Sequence, residues 1–401
     1  MNTCRPLWAL LTLAWVVGSA SAGSVRYLGP DEGSGSCRAV VVEGCALAHT
    51  GQLLPVDQQG NLIGETAVDA QLAQVLFNLE AALAAAGSAT EHLVKLNLYV
   101  DSPRTADAVR KLFAKRFRKP VLPAMSWVCT PLAHPKALVA LDAVAIVPGE
   151  GPGHVVRKRC ESFAGDRRFA DVAVLPRGET IYVCSVPAQG DSAAATAKAL
   201  EMLMRTIGPL GLDHSHVVQW KVFLNAMDRA SAVREQMASL FSGVLGPPGV
   251  LVESVSETPG MIELIAFAPA KVSTSAPAEP VSFLAPPGTK PSPLGSPLAR
   301  VLADQRIYIS GLYADQPARG EAQVRSVFSA LEEIAKQSGT DLRHMVKATY
   351  YVADKEAEAA LERLGAEYFD RARAPVSSKV MVHGVGLSDR SITLDMIAVP
   401  R

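Results

Sequence analysis

The sequence predicts an α+β fold that occurs three times in one chain. Three observations predict it. An apolar, β-branched or aromatic string begins near His92, again near His216 and again near His344. Each string lies between two stretches of helical periodicity, and each set closes with two further strand-like strings. Such an order favours helices packed on one face of a sheet in every unit.

The elements follow from the spacing of apolar residues. In the first helix, for example, Leu72, Leu79 and Leu83 fall on one face, and Gly87 follows as a C-terminal cap. The predicted helices span 68–86, 105–117, 193–207, 229–241, 323–337 and 355–369. The closing strands are predicted at 125–130 and 138–147, at 250–255 and 261–267, and at 379–385 and 392–399.

Linker-like segments divide the chain into three units of ordinary domain size. A Pro- and Gly-rich run at 148–153 separates the first two units, and a Ser-, Ala- and Pro-rich run at 271–280 separates the last two. The predicted organisation is therefore a leader at 1–22, then domains at 23–148, 154–270 and 281–401, of which the middle one is the most diverged.

Composition excludes some classes of function. The 401 residues contain 39 Lys and Arg and 39 Asp and Glu, so the formal net charge is zero. A dedicated nucleic-acid-binding protein normally carries a basic balance or stripe, so we expect no nucleic-acid partner. The chain also lacks a C-x-x-C pair, a P-loop and a G-x-S-x-G elbow, and the sequence predicts no metal and no cofactor.

The N-terminal segment has the pattern of a secretory signal peptide. Arg5 precedes an apolar stretch at 7–17, and Ala20-Ser21-Ala22 forms an A-x-A cleavage site. We therefore expect export to the periplasm or the medium and no membrane contact after cleavage. Five cysteines would remain, an odd number that leaves at least one thiol unpaired.

Several short strings together resemble a known family. They are His49-Thr50-Gly51-Gln52-Leu53-Leu54-Pro55, the strand from Val94 to Val100, and Leu122-Pro123-Ala124-Met125-Ser126, with counterparts in the third unit at Ile309-Ser310-Gly311 and Val346-Lys347-Ala348-Thr349. In this order they resemble the RidA/YjgF family, the reactive intermediate deaminase A or L-PSP endoribonuclease-like proteins. The resemblance implies a chorismate-mutase-like fold and homotrimers with sites between subunits. Three such units in one chain then imply an intramolecular pseudo-trimer.

The residues that would perform the family's imine hydrolysis are replaced in this chain. The resemblance implies an arginine that binds the substrate carboxylate, but the matching positions hold Met125, Gly249 (or the adjacent Val250) and Ser377. The glutamate that orients water is matched by Asp142, Ile265 and Asp395, listed in order of the units. The cleft tyrosine is matched in the middle unit only by Phe169.

Other residues are candidates for a rebuilt site. Asp142 and Asp395 are candidate water-orienting carboxylates, and Lys379 is a candidate substitute cation because it shares a predicted strand face with Ser377. Trp127 and Met125 would form an apolar cleft wall, and Glu253 lies four residues beyond Gly249. The alternative for each of them is a packing or surface role.

These observations leave three hypotheses for function. The first is an exported protein that binds a small metabolite between its domains, with or without an unusual hydrolase activity. The second is an imine or enamine deaminase in which Lys379 replaces the arginine. The third is a structural or protein-interaction role with filled clefts. Ribonuclease action is disfavoured by the charge balance.

Overall fold

A computed structural model provides the three-dimensional structure of the chain. It describes residues 23–117, 120–185, 192–256, 261–269, 279–285 and 295–401. The leader predicted at 1–22 and most of the linker predicted at 271–280 lie outside these residues. No helix in the described ranges is both long enough and apolar enough to span a membrane. All five described cysteines are free thiols.

The first part of the chain forms six strands and two helices. Its elements are β1 (Ser24–Asp31), β2 (Ser36–Glu43), β3 (Ala46–Thr50), α1 (Val68–Ala85), β4 (Leu93–Val100), α2 (Pro103–Arg116), β5 (Ala124–Cys129) and β6 (Val139–Val147). The Ser102 side chain accepts a hydrogen bond from the backbone N–H of Thr105 and so caps α2, which begins with Pro103.

The middle part repeats this order. Its elements are β7 (Val156–Lys158), β8 (Val172–Leu175), β9 (Glu179–Cys184), α3 (Ser192–Ile207), β10 (Val217–Leu224), α4 (Ala230–Leu240), β11 (Gly249–Glu253) and β12 (Met261–Ala268). The helices agree with the predicted periodicity to within one residue at each end.

The last part has the same order again. Its elements are β13 (Val281–Leu284), β14 (Leu298–Val301), β15 (Gln305–Leu312), α5 (Gly320–Ser338), β16 (Met345–Val352), α6 (Lys355–Tyr368), β17 (Val376–Met381) and β18 (Ile392–Ala398). Asp354 caps α6 through its side chain, and Gly339 ends α5 in the left-handed conformation.

Each part has the same strand neighbours. The central strands β4, β10 and β16 each pair in parallel with the strand that follows the second helix and antiparallel with the closing strand. A mixed α+β sheet with two helices per part is therefore confirmed, whereas the predicted domain boundaries stay a prediction.

The three parts are joined by strand pairing. In the described residues, β8 of the middle part pairs with β3 of the first, β14 of the last pairs with β9 of the middle, and β2 of the first pairs with β15 of the last. As a result the strands form one sheet of twelve and one of six. One apolar core takes side chains from all three parts, including Val94, Val218 and Val346.

Candidate functional site

A cleft with a tryptophan wall lies between the first and middle parts. We call it the Gly51 cleft; it has a volume of about 270 Å³. One wall is the loop after β3, which includes Gly51 and Gln52. The other walls come from residues 163–171, from β10 and β11, and from α4.

Backbone contacts hold the two walls of the Gly51 cleft together. The N–H of Gln52 donates to the carbonyl of Gly249 at 2.9 Å, and its side-chain amide donates to the carbonyl of Leu251 at 3.0 Å. The N–H of Gly51 donates to the carbonyl of Asp171 at 2.8 Å. The structure therefore places Gly249, a predicted site residue, at this cleft.

Gly249 is required here by the neighbouring indole. A Cβ atom at this position would lie 1.9 Å from the Trp220 ring, which itself lines the cleft. Phe169 packs edge-on against the same indole, with ring centroids 5.3 Å apart. An aromatic pair therefore occupies the space beside Gly249, and Phe169 lines the cleft; its match to the family tyrosine stays a prediction.

A different arginine supplies positive charge to the cleft. Arg234, on α4, lines the Gly51 cleft and makes no hydrogen bond or ion pair with any described residue. The nearby carboxylate of Asp166 is occupied by Arg168, at 2.7 Å. Burial lowers the pKa of Arg234, and the charge of Asp166 partly opposes this. An arginine side chain stays protonated in proteins, so Arg234 presents a charged, unpaired guanidinium to the cleft.

Asp171 is the second charged group of interest in the Gly51 cleft. Its Oδ2 atom accepts a hydrogen bond from the N–H of Cys160 at 2.7 Å. Burial nevertheless raises the pKa of this carboxyl. A carboxyl group with a raised pKa beside a cleft has the property required of a general acid or base.

Met125 and Trp127 do not line the Gly51 cleft. Both are buried in the core of the first part. The guanidinium of Arg110 lies 4.8 Å over the Trp127 ring and donates to the carbonyl of Gly386 at 2.9 Å. Gly311 approaches the carbonyl of Met125 from the last part. The predicted apolar wall is therefore covered by packed side chains and backbone.

Lys379 faces the helix layer and not a cleft. Its ammonium donates to Glu358 at 2.6 Å and also to Glu362, both on α6. Burial alone would lower the pKa of Lys379, but these hydrogen bonds raise it. Lys379 and Ser377 do lie on one face of β17, as the alternation along the strand predicts. The ion pairs with Glu358 and Glu362 nevertheless occupy the Lys379 ammonium, so it is not free to bind a substrate.

Ser377 and Glu253 also lie away from the Gly51 cleft. Ser377 packs against Gly295, where the last part folds back on β17. Glu253 accepts a hydrogen bond from the N–H of Met227 just before α4, and contacts His383 at 3.1 Å. The structure therefore gives Glu253 a structural contact at a helix start and a link to the last part.

Asp142 and Asp395 face a separate, enclosed space. We call it the central cavity; it has a volume of about 30 Å³ and is lined by residues of all three parts. Both carboxylates are 1% exposed. Their strands point them toward the junction of the three parts and not toward the Gly51 cleft, so a role for these two residues at a substrate stays a prediction.

Strand register also corrects the match in the middle part. Asp142 lies opposite Asn97, and Asp395 lies opposite Thr349. The residue in the same register of the middle part is Glu263, opposite Lys221, and not Ile265. Each part thus contributes one carboxylate to the central cavity.

Ion pairs and hydrogen bonds between parts hold these carboxylates. Lys95 of the first part pairs with Asp395 of the last, and Lys347 of the last pairs with Glu263 of the middle at 2.9 Å. Burial alone would raise the pKa of Asp395, but Lys95, Lys347 and Lys221 lower it to about 2. This carboxylate is therefore held ionised as a structural anion.

The sequence interpretation missed Arg234, Asp171 and Glu263. A usable signal existed for Glu263, since it is the one acid within an otherwise apolar closing strand, as Asp142 and Asp395 are in theirs. Arg234 and Asp171 gave no such signal. In the described residues no group of three or more His, Cys, Asp or Glu side chains is arranged to hold a metal ion.

Comparison with known proteins shows which protein family this chain belongs to. The model of the endoribonuclease L-PSP family matches residues 36–147 and again 289–399, which is more than half of the chain. This chain therefore belongs to that family, the RidA/YjgF proteins, and carries repeated family domains. A family repeat in the segment between the two matches stays a prediction.

The individual relatives each match between a quarter and a third of the chain. A RutC family protein of Synechocystis is 33% identical over 102 residues, which cover 25% of this chain and 78% of the relative. The structure of YyfB, a Rid family protein of unknown function from Yersinia pestis, is 27% identical, with 30% and 98% of the two chains covered and a TM-score of 0.26. Yeast Mmf1 is 19% identical, with 32% and 98% covered and a TM-score of 0.23.

Proposed function

We propose that this chain binds a small anionic metabolite in the Gly51 cleft and that Arg234 holds the anionic group. The unpaired guanidinium of Arg234 carries the proposal. A guanidinium presents a planar fork of donors that matches a carboxylate in two hydrogen bonds. A charged group left without a protein partner at a cleft is poised for a ligand of opposite charge.

The surroundings of Arg234 support a ligand of limited size. The Gly51 cleft, at about 270 Å³, lies near the small end of ligand pockets. Trp220 and Phe169 offer an apolar surface beside the guanidinium. A short-chain carboxylate, with its anionic end at Arg234 and its carbon chain against the indole, satisfies both features.

Hydrolysis is the second candidate function, and the raised pKa of Asp171 favours it. In this scheme the Asp171 carboxylate takes a proton from water as the water oxygen bonds to the carbon of an imine. The nitrogen is then protonated and leaves as ammonia, and a carbonyl compound remains. The atoms balance without a cofactor, so the reaction needs only the imine and water.

The binding test uses residues 23–401 and a series of short 2-oxo acids, by titration calorimetry. Arg234→Met is expected to weaken binding by about 10- to 100-fold, the loss of a hydrogen bond to a charged group. Arg234→Lys should recover part of the affinity. Arg205→Met, an exposed arginine of α3, is the matched control and should bind normally. Equal affinity in wild type and Arg234→Met would contradict the proposal.

The activity test measures ammonia release from imino acids that an amino-acid oxidase generates in place. Turnover that Asp171→Asn abolishes while binding persists would identify a deaminase. Turnover that only Lys379→Met abolishes would restore the substitute-cation hypothesis. Binding without turnover would leave a metabolite-binding protein, and neither binding nor turnover would favour the structural or protein-interaction role.

We further propose that the chain is exported and that its three parts form a self-contained pseudo-trimer. The pattern at 1–22 supports export. The strand pairing of each part with the next, closing from the last to the first, supports the pseudo-trimer. The zero net charge supports a partner other than nucleic acid.

A further inference from the structure

The charged side chains that line the Gly51 cleft in the described structure are one arginine and two aspartates. They are Arg234, Asp166 and Asp171. Asp166 already has a partner, because its two oxygens accept from the Nε and Nη2 atoms of Arg168 at 2.8 and 2.7 Å. The lining therefore leaves one cation, Arg234, and one carboxylate, Asp171, for a ligand.

Arg234 and Asp171 do not neutralise each other. No ion pair joins them among the described residues, although both line the same cleft. An arginine and a carboxylate in direct contact form charge-assisted hydrogen bonds, and these two groups make none. They therefore present opposite charges at separate places of one small cleft.

The Asp171 carboxylate keeps one oxygen available. Its Oδ2 atom accepts from the N–H of Cys160 at 2.7 Å, whereas Oδ1 makes no hydrogen bond with a described residue. A Cβ atom at Gly165 would lie 2.7 Å from Oδ1, so any side chain at Gly165 would cover this oxygen. Burial raises the pKa of Asp171, and the charge of Arg159 opposes this rise without an ion pair. The open Oδ1 atom is an acceptor for a positively charged donor.

The third feature of the Gly51 cleft is an apolar wall. Trp220 and Phe169 line the cleft, and their rings pack edge-on with centroids 5.3 Å apart. An aliphatic group placed against this wall leaves water, which is favourable. The cleft thus combines a cation, an anion and an apolar surface.

We propose that the ligand of the Gly51 cleft is an α-amino acid with an aliphatic side chain. This inference rests on the proposed role of Arg234 and names the class of ligand. Arg234 binds the carboxylate, Asp171 binds the ammonium group, and the wall of Trp220 and Phe169 contacts the side chain. These three features match the three substituents on one α-carbon.

The charges of the cleft favour an amino acid over a plain carboxylate. A ligand with only a carboxylate satisfies Arg234 but adds a negative charge to a cleft that already holds Asp171. An amino acid has no net charge, and each of its two charged groups finds an opposite charge on the protein. Because burial of an unpaired charge is costly, the ligand that pairs both groups is the one that binds best.

Calorimetric titration of residues 23–401 with matched ligands tests the inference. They are L-leucine, 4-methylpentanoate, which lacks the amino group, and 3-methylbutylamine, which lacks the carboxylate. L-Leucine is expected to bind about 10- to 100-fold more tightly than either analogue, the effect of one hydrogen bond between charged groups. The compound 5-aminopentanoate, which has both charges but no side chain, should bind more weakly than L-leucine.

Variants assign the two charged ends of the ligand. Asp171→Asn keeps an oxygen for the N–H of Cys160 and should weaken L-leucine binding by about 10- to 100-fold, while 4-methylpentanoate binds as it does to wild type. Arg234→Met should weaken the binding of both carboxylates. Asp69→Asn, which alters an exposed aspartate of α1, is the matched control and should bind L-leucine normally.

The outcomes separate this inference from the proposal on which it rests. If 4-methylpentanoate binds as tightly as L-leucine and Arg234→Met weakens it, the role of Arg234 stands and the amino-acid inference is overturned. Normal L-leucine binding by Asp171→Asn would overturn it as well. If no carboxylate binds, both the inference and the proposed function fail. The wild-type series decides even if Asp171→Asn does not fold.

Discussion

His49 shows what burial does to a single titratable residue. Its imidazole is enclosed at the junction of the three parts, near Lys95 and Arg306. Burial penalises the charged form and the two cations oppose a further positive charge, so the pKa falls to about 3. The residue is therefore neutral in the folded protein across the neutral and mildly acidic range.

The first prediction concerns acid stability. The pKa of His49 is depressed relative to the unfolded chain, where it is about 6.5. The contribution of His49 to the free energy of unfolding is therefore fully present above pH 6.5 and is lost as the pH falls toward 3. We expect His49 to steepen the fall in unfolding free energy by up to about 1.4 kcal/mol per pH unit in this window.

Urea unfolding between pH 7 and pH 4, at constant ionic strength, measures how the free energy of unfolding changes with pH. His49→Gln should show a shallower fall than wild type. His154→Gln, an exposed histidine, should follow wild type. Parallel slopes in His49→Gln and wild type would show that His49 is not held neutral by burial.

The second prediction separates a structural role of Asp395 from a catalytic one. Asp395→Asn leaves the buried Lys95 ammonium without its counter-charge. Breaking a buried pair in this way costs about 3–5 kcal/mol. We expect this loss in unfolding free energy while the affinity of the Gly51 cleft for 2-oxo acids stays within twofold of wild type.

Denaturant titration and calorimetry on the same Asp395→Asn preparation check both halves. The double variant Lys95→Met/Asp395→Leu should recover part of the stability, since it leaves no unpaired charge. A selective loss of turnover or ligand affinity without loss of stability would instead support the catalytic role given to Asp395 by the sequence.

At the scale of elements, β11 and the loop after β3 define the Gly51 cleft through close backbone approach. Gly249 begins β11 and lies under the Trp220 indole, while its carbonyl accepts from Gln52. Because any side chain here must displace the indole, the shape of the cleft depends on this one position of the strand.

The third prediction tests this dependence. Gly249→Ala places a methyl group in the volume of Trp220 and should reduce the unfolding free energy by about 1–3 kcal/mol. It should also shift the tryptophan fluorescence and weaken ligand binding in the Gly51 cleft. Gly208→Ala, where a Cβ meets no atom within 4 Å, is the control. Unchanged stability and fluorescence in Gly249→Ala would mean that the indole is free to move.

At the scale of the whole molecule, the three parts share one apolar core. Val94, Val218 and Val346 occupy the start of the central strand in each part and all belong to this core. Strand pairs also cross between parts. The parts therefore stabilise one another, and loss of packing in one part should lower the stability of the other two.

The fourth prediction is cooperative unfolding. Val346→Ala removes buried methyl groups from the shared core and should cost about 2 kcal/mol. We expect the calorimetric transition of the full chain to move to lower temperature as one peak, at a position independent of protein concentration. Separate peaks, with only one of them displaced, would show that the parts unfold independently.

The sequence by itself determined the elements, their threefold recurrence and the family. Helical and strand periodicity are local properties, so six helices and the closing strands could be read from residues a few positions apart. The sequence also named Gly249 as a candidate site residue, and the structure places it at the Gly51 cleft.

Only the tertiary structure decided which side chains meet. Arg234 and Asp171 lie at the Gly51 cleft although they come from segments far apart in the chain. The spacing of residues along the sequence could not predict that these segments meet. The register of β12 places the middle carboxylate at Glu263, and the pairing of the three parts directs Asp142 and Asp395 into the central cavity with Lys221 and not into the Gly51 cleft. The alternation of side chains along a strand follows from the local sequence, but long-range packing decides what each strand face contacts. In this protein that packing determines where the charged side chains lie.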